Sequence, residues 1–113
     1  MADLPIGNEG SMTGTTAVTL LAGPSAGATQ RVVPPKGAGV YNKDTVNHDI
    51  TFQKNKGAAI TEIHKVTGVV PGGSVFLDKV VTLDATNESL EGKLNAAATT
   101  TQPTFDVSAI ETT

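Results

Sequence analysis

The residues able to do chemistry are few in this chain. It has two histidines and no cysteine. A nucleophilic triad needs a hydroxyl or thiol, a histidine and a carboxylate brought together. Neither His48 nor His64 sits in a nucleophile motif, and there is no Gly-x-Ser-x-Gly elbow and no phosphate-binding P-loop. His48 shares an apolar face with Val46, Ile50 and Phe52, where a histidine with satisfied hydrogen bonds is expected rather than a catalytic one. His64, beside Lys65, reads the same way. No two histidines stand at metal-ligating spacing. Asp44, Asp78, Asp84 and Glu88 fall at turns and could be gathered into a loop-end calcium site, which would need about six or seven oxygens at close range. Nothing in their spacing requires it, and solvated turn residues are the plainer expectation. Asn87-Glu88-Ser89 matches a glycosylation sequon by chance in a chain whose first residues lack the pattern of a leader. Lys54 and Lys56 form a small basic turn expected to be solvated. No catalytic residue, cofactor or metal ligand is therefore expected, and the chemistry is expected to be burial and association.

The elements that carry these residues follow from composition and period. The chain has 113 residues, 38% hydrophobic and 17% charged, with a net charge of -3. That length fits one domain with a core large enough to fold without staples. A net negative charge without clustered Lys and Arg excludes a phosphate-backbone footprint. No apolar run approaches the roughly 20 residues that span a bilayer, and Met1 to Gly14 lacks a basic and an apolar region, so folding in the cytoplasm of the producing cell is expected. Thr, Ala, Val and Gly are abundant, and β-branched residues suit a pleated surface. Charge this sparse is below the usual quarter of residues, which hints that part of the surface is covered by a partner.

Met1 to Gly14 is polar, Gly-rich and without period, and reads as a flexible N-terminal arm ahead of a domain over residues 15–113. Strands are predicted at Ala17 to Ala22, Thr29 to Val33 and Gly39 to Asn42, separated by the Gly23 to Gly27 turn and by Pro34-Pro35, which cannot donate to a ladder. Val46, His48, Ile50 and Phe52 alternate with polar residues, the signature of a half-buried strand. Ala58 to Thr67 follows the Asn55-Lys56-Gly57 turn, and its Ile60 and Ile63 fall on opposite faces, as a bulge or two-sided burial would produce. After Pro71-Gly72-Gly73, Val75, Leu77, Val81 and Leu83 alternate with a single break at Lys79. Asp84 to Ala98 allows helix or strand. Leu90, Gly92, Leu94 and Ala96 alternate, and Gly92 would cost a helix about 1 kcal/mol, so strand is favoured. Thr104 to Ile110 is the last strand, and Ala96 to Thr101 is expected to be a plain connecting loop. At least three of the four aromatics, Tyr41, Phe52, Phe76 and Phe105, fall in core patterns. About eight short strands, with turns roughly every 8 to 12 residues, predict an all-β fold: a single β-sandwich, jelly-roll-like.

Several of these phrases resemble small virion structural proteins of tailed bacteriophages. They are Thr16 to Pro24, Val40-Tyr41-Asn42, Asp44 to Phe52, Pro71-Gly72-Gly73-Ser74, Leu83-Asp84, Glu88-Ser89-Leu90 and the Thr-rich run before Pro103. The resemblance spans most of the chain from Thr15 onward and consists of turn and strand phrases. It implies a non-enzymatic β-sandwich of the virion, of the capsid decoration or cement type, which binds the major capsid protein or other virion proteins and stabilises the assembled head. Such proteins are often trimeric, so a homo-oligomer, with a trimer favoured, is expected, with no nucleic acid or membrane partner. Leu4, Pro5 and Ile6, the one apolar cluster of the arm, are the expected partner-binding residues. A neck, tail or fibre component is the alternative. A carbohydrate-binding sandwich is a further one, disfavoured by one Tyr and no Trp.

Overall fold

The computed structural model describes residues 3–25 and 27–112. Met1 and Ala2 of the expected arm, Ala26 of the expected turn and Thr113 lie outside the described residues. Every element is a strand: β1 Asp3–Ser11, β2 Val18–Ala22, β3 Gln30–Val33, β4 Ala38–Tyr41, β5 His48–Lys56, β6 Ala59–Val69, β7 Ser74–Leu77, β8 Val81–Leu83, β9 Glu88–Leu94 and β10 Thr104–Thr112. The ambiguous stretch 84–98 thus contains a strand, and the fold is the expected β-sandwich. Among the described residues no helix is long and apolar enough to cross a membrane.

The ten strands occupy eight lanes. In the first sheet, β10 pairs along its whole length with β1 on one side. On the other side β4 covers its first half and β3 its last three residues, so β3 and β4 lie end to end. Pro34 and Pro35 cause the interruption, because neither has an N–H for the ladder. The chain loops out through Lys36, whose φ is 65°, and rejoins where Ser108 N–H donates to the Gly37 carbonyl at 2.7 Å. The next lane breaks at the same level. β7 pairs with β4 and β8 with β3, and the break falls at Asp78 to Val80, around Lys79 as the sequence pattern marks. The second sheet runs β2-β9-β5-β6.

Alternation sends one face of each strand inward. Leu20, Ile50, Phe52, Leu77, Leu83, Leu90, Val33 and Val107 are fully buried between the sheets. Each such side chain contributes roughly 1.5–3 kcal/mol of transfer free energy. Gly92 sits in the middle of β9 because the opposite side is full. A Cβ there would stand 3.0 Å from Met12 Cε and 3.1 Å from Leu20 Cδ1. In β6 the ladder shifts register between Phe52 and Gln53, whose partners are His64 and Glu62. Ile63 is the extra residue, which explains the out-of-phase isoleucines. A second shift, between His48 and Ile50, is accommodated by Gly68 at φ 67°.

Three expectations change. Asp3–Ser11, expected within a separate arm, forms β1 and is paired residue for residue with β10. Its strand comes from backbone hydrogen bonds to a neighbour distant in sequence, which needs no hydrophobic period. Val46 is not inward but 40% exposed, because Asn42 Nδ2 holds its carbonyl at 3.0 Å in the loop ahead of β5. Only two aromatics, Phe52 and Phe105, are buried, whereas Tyr41 and Phe76 lie outside. Val75 and Leu77 take the inward positions of β7, so Phe76 between them must point out.

Cations clasp the two sheets together at their edges. Lys54 of β5 reaches the Thr82 carbonyl of β8 at 2.8 Å, and Arg31 of β3 reaches the Ala22 carbonyl of β2 at 3.0 Å. Phe52→Ala is expected to cost about 3–5 kcal/mol in urea unfolding, because it empties the centre of the sandwich. Phe76→Ala, on the outer face, should stay within about 1 kcal/mol of the parent.

Candidate functional site

The densest polar cluster lies at the end of the sandwich where the β1–β2, β4–β5, β6–β7 and β9–β10 loops meet. Asn42, directly after β4, is fully buried. Its Nδ2 donates to the carbonyls of Val46 and Val69 at 3.0 and 2.8 Å, and its Oδ1 accepts the Asp44 N–H at 3.0 Å. This is an Asx turn, the local chemistry that an Asn before a strand supplies. It aims the Asp44 carboxylate inward. Asp44 Oδ1 accepts from the N–H groups of Thr45 and Thr100 at 2.8 Å each and of Thr101 at 3.3 Å. Oδ2 accepts from Thr99 N–H at 2.7 Å and from His48 Nε2 at 2.6 Å.

The His48 hydrogen bond and the Thr99 N–H hold the Asp44 carboxyl far below its usual range, against the opposing effect of burial. A carboxylate only accepts, so His48 carries its proton on Nε2 in this pair. His48 is 1% exposed, and its Nδ1 has no hydrogen-bond partner among the described residues. The expectation of a fully satisfied histidine therefore holds for one ring nitrogen only. The arrangement ties the Thr-rich β9–β10 loop to the β4–β5 loop. That loop, expected to be a plain connection, is an anchored element. Further bonds extend the tie to the β1–β2 loop, since Ala98 N–H donates to the Thr13 carbonyl and Met12 N–H to the Pro103 carbonyl.

The other candidate residues are dispersed. Asp84 and Glu88 sit at the opposite end, where the Asp84 N–H donates to Glu88 Oε1 at 3.2 Å and the Asp84 carboxylate accepts from Gln30. Glu88 also pairs with Lys54 at 3.0 Å. The Lys54 ammonium lowers the Glu88 carboxyl below its ordinary value. Lys54 is therefore engaged between the sheets rather than solvated. Asp78 lies in the break between β7 and β8, and His64 stands opposite Phe52 on β6. The four acids proposed for calcium are not brought together, and no three His, Asp or Glu side chains among the described residues are placed to hold a metal ion. Glu111, which no sequence signal singled out, is buried at the same end as Glu88. It accepts from Ser25 N–H at 3.1 Å and from Arg31 Nε at 2.9 Å, which lower its carboxyl.

The outside of the six-stranded sheet is the second candidate. Tyr41, Phe76 and Ile110 are exposed there, whereas Leu4, 54% exposed at the β1 edge, stands opposite the inward Glu111 and so on the other face of its strand. Within the expected Leu4, Pro5, Ile6 cluster the strand alternates. Ile6 packs against the core, while Pro5 stands opposite Ile110 on the outer face.

No protein-family model and no curated protein matches the chain. Solved structures similar to it include a pentameric capsid protein from metagenomic phage sequences, 16% identical at a TM-score of 0.45 over 96% of this chain. The chain spans 59% of that protein's length. The structure of infectious bursal disease virus Gx strain matches at 10% identity and a TM-score of 0.49, covering 97% of this chain and 31% of that one. The core of Drosophila NLP matches at 13% identity and a TM-score of 0.48, covering 94% and 96%.

Asp44→Asn is expected to lower the urea midpoint at neutral pH, because an amide in either orientation turns N–H groups onto N–H donors. The sign with pH follows from the depressed carboxyl. Its stabilisation is present above the ordinary value of 3.8 and is lost as pH falls below it. Urea midpoints of the parent should therefore drop between about pH 5 and pH 2, and the gap to Asp44→Asn should narrow over that window.

Proposed function

We propose that this chain is a non-enzymatic structural protein of a bacteriophage virion, a capsid decoration or cement protein that binds the assembled head and stabilises it. One observation carries the association: Tyr41, Phe76 and Ile110 are left exposed on one sheet face, in a chain with few charges. Exposed apolar area of this kind mark surfaces that meet other molecules. The resemblance of its turn and strand phrases to tailed-phage proteins supplies the kind of assembly.

The eight lanes support a jelly-roll reading. The first sheet takes lanes β1, β10, β3 with β4, and β8 with β7; the second takes β2, β9, β5 and β6. Successive lanes therefore switch sheets at every step except the β5–β6 hairpin, as two Greek keys do. In this reading the stretch 1–14 is the element that contacts the partner, with Leu4 and Pro5 presented from β1 and Ile6 holding the strand down. The chain works as a trimer on the major capsid protein, in the virion. Its mechanism is mechanical: many copies cover apolar seams and oppose outward pressure, which requires a domain whose loops do not yield. The Asp44 cluster supplies that stiffness at one end.

Quantified gel bands from purified virions test the assignment. A decoration protein should be present in hundreds of copies, whereas about 3 to 12 copies, the number closed cyclic symmetry gives a neck or tail ring, would place it there instead. Leu4→Asp should weaken binding to isolated heads by at least about tenfold while leaving the urea midpoint close to the parent's. Undiminished binding would remove Leu4 from the contact.

A further inference from the structure

On the outer face of the six-stranded sheet, one row of side chains crosses four lanes. Glu9 of β1 stands directly opposite Asp106 of β10, Asp106 opposite Gly39 of β4, and Gly39 opposite Phe76 of β7. Glu9, Asp106 and Phe76 point outward, as a Cβ on Gly39 would. Gly10 and Phe105, the neighbours of Glu9 and Asp106, face in, since a Cβ on Gly10 would meet the Phe105 ring at 2.9 Å. Glu9 and Asp106 are thus like charges on directly opposed positions of an antiparallel pair, a destabilising arrangement. Among the described residues no Lys or Arg lies within ion-pair distance of either.

The surroundings make a trough of this row. Gly39 has no side chain, and the Phe76 ring leans into its place, 2.8 Å from where a Cβ would stand. Tyr41 forms the wall in the next row, opposite Thr104. The depression bounded by Glu9, Gly39, Tyr41, Thr104 and Asp106 has a volume of about 460 Å³. A second one of about 400 Å³, over Gly7 and Ser108, shares both carboxylates. Two of the chain's four aromatics therefore stand exposed beside an uncompensated carboxylate pair.

We propose that this trough is the docking groove for an arginine-bearing extended segment of a partner protein. A guanidinium is planar, can bridge two carboxylates, and stacks on aromatic faces. Charge complementarity selects it: a cation relieves the Glu9–Asp106 repulsion, whereas an acidic or purely apolar segment would leave it. That the segment belongs to a neighbouring virion protein rests on the function proposed above; the groove chemistry does not.

The test is a titration of the isotope-labelled full-length chain with the peptide acetyl-Gly-Arg-Leu-Arg-Gly-amide, followed by amide chemical shifts. Shifts should concentrate at Gly7, Glu9, Gly39, Thr104 and Asp106 and weaken at high salt. The Glu9→Gln/Asp106→Asn double variant should bind at least about tenfold more weakly and be no less stable, since it removes repulsion. Shifts centred elsewhere, equal affinity of the double variant, or equal binding of the peptide with Glu in place of Arg would overturn the groove. So would parent self-association, seen by light scattering, that the double variant abolishes, because the occupant would then be a second copy. Binding to isolated heads separates the two proposals. If the peptide binds and heads do not, the groove stands and the virion reading fails. If parent and double variant bind heads equally, the virion reading stands and the groove fails.

Discussion

The Asp44 carboxylate is the constraint on which one end of this molecule depends. It is buried, and a buried carboxylate is tolerable only when its lone pairs are taken by donors. Four backbone N–H groups and His48 take them. Three of those N–H groups belong to Thr99, Thr100 and Thr101, which have few apolar atoms to bury and no ladder to join. The carboxylate is what converts that stretch into an anchored loop. The start of β10 is held with it, and β10 is the lane onto which β1, β3 and β4 are all paired. One side chain thus links loop order to the register of the six-stranded sheet.

The opposite end is secured differently. There Glu88 with Lys54 and Glu111 with Arg31 join carboxylates to cations that reach across to the other sheet. Both ends spend ionisable groups on closure, and the apolar interior fills the space between. The result is a two-layer body that leaves several unbalanced features on the outside of one sheet. They are the exposed aromatics and the opposed Glu9 and Asp106. Such features add nothing to folding.

Much of the fold was legible in the residues. Alternation placed Ile50, Phe52, Leu77, Leu83, Leu90 and Val107 in the core, and the out-of-phase Ile60 and Ile63 left a bulge or two-sided burial open, which the register shift at Ile63 resolves as a bulge. Pro34-Pro35 and Lys79 marked the two interrupted lanes. The polar clusters were not legible. Asp44 looked like any turn acid, because its partners at 99–101 lie more than 50 residues away and donate through backbone, which carries no sequence signature. Glu111 was invisible because its partners, Ser25 and Arg31, lie 80 or more residues away. β1 was read as an arm because an edge strand held by backbone bonds needs no hydrophobic period.

What the sequence determined by itself was local: which residues alternate, where prolines and glycines break a ladder, and therefore an all-β sandwich with few groups able to do chemistry. Tertiary structure alone decided which lanes are neighbours. It thereby decided that Asp44 is buried among donors, that Phe76 lies over Gly39, and that Glu9 faces Asp106. Those are contacts between segments far apart in the chain, set by strand pairing and register, and no local pattern of residue types encodes them.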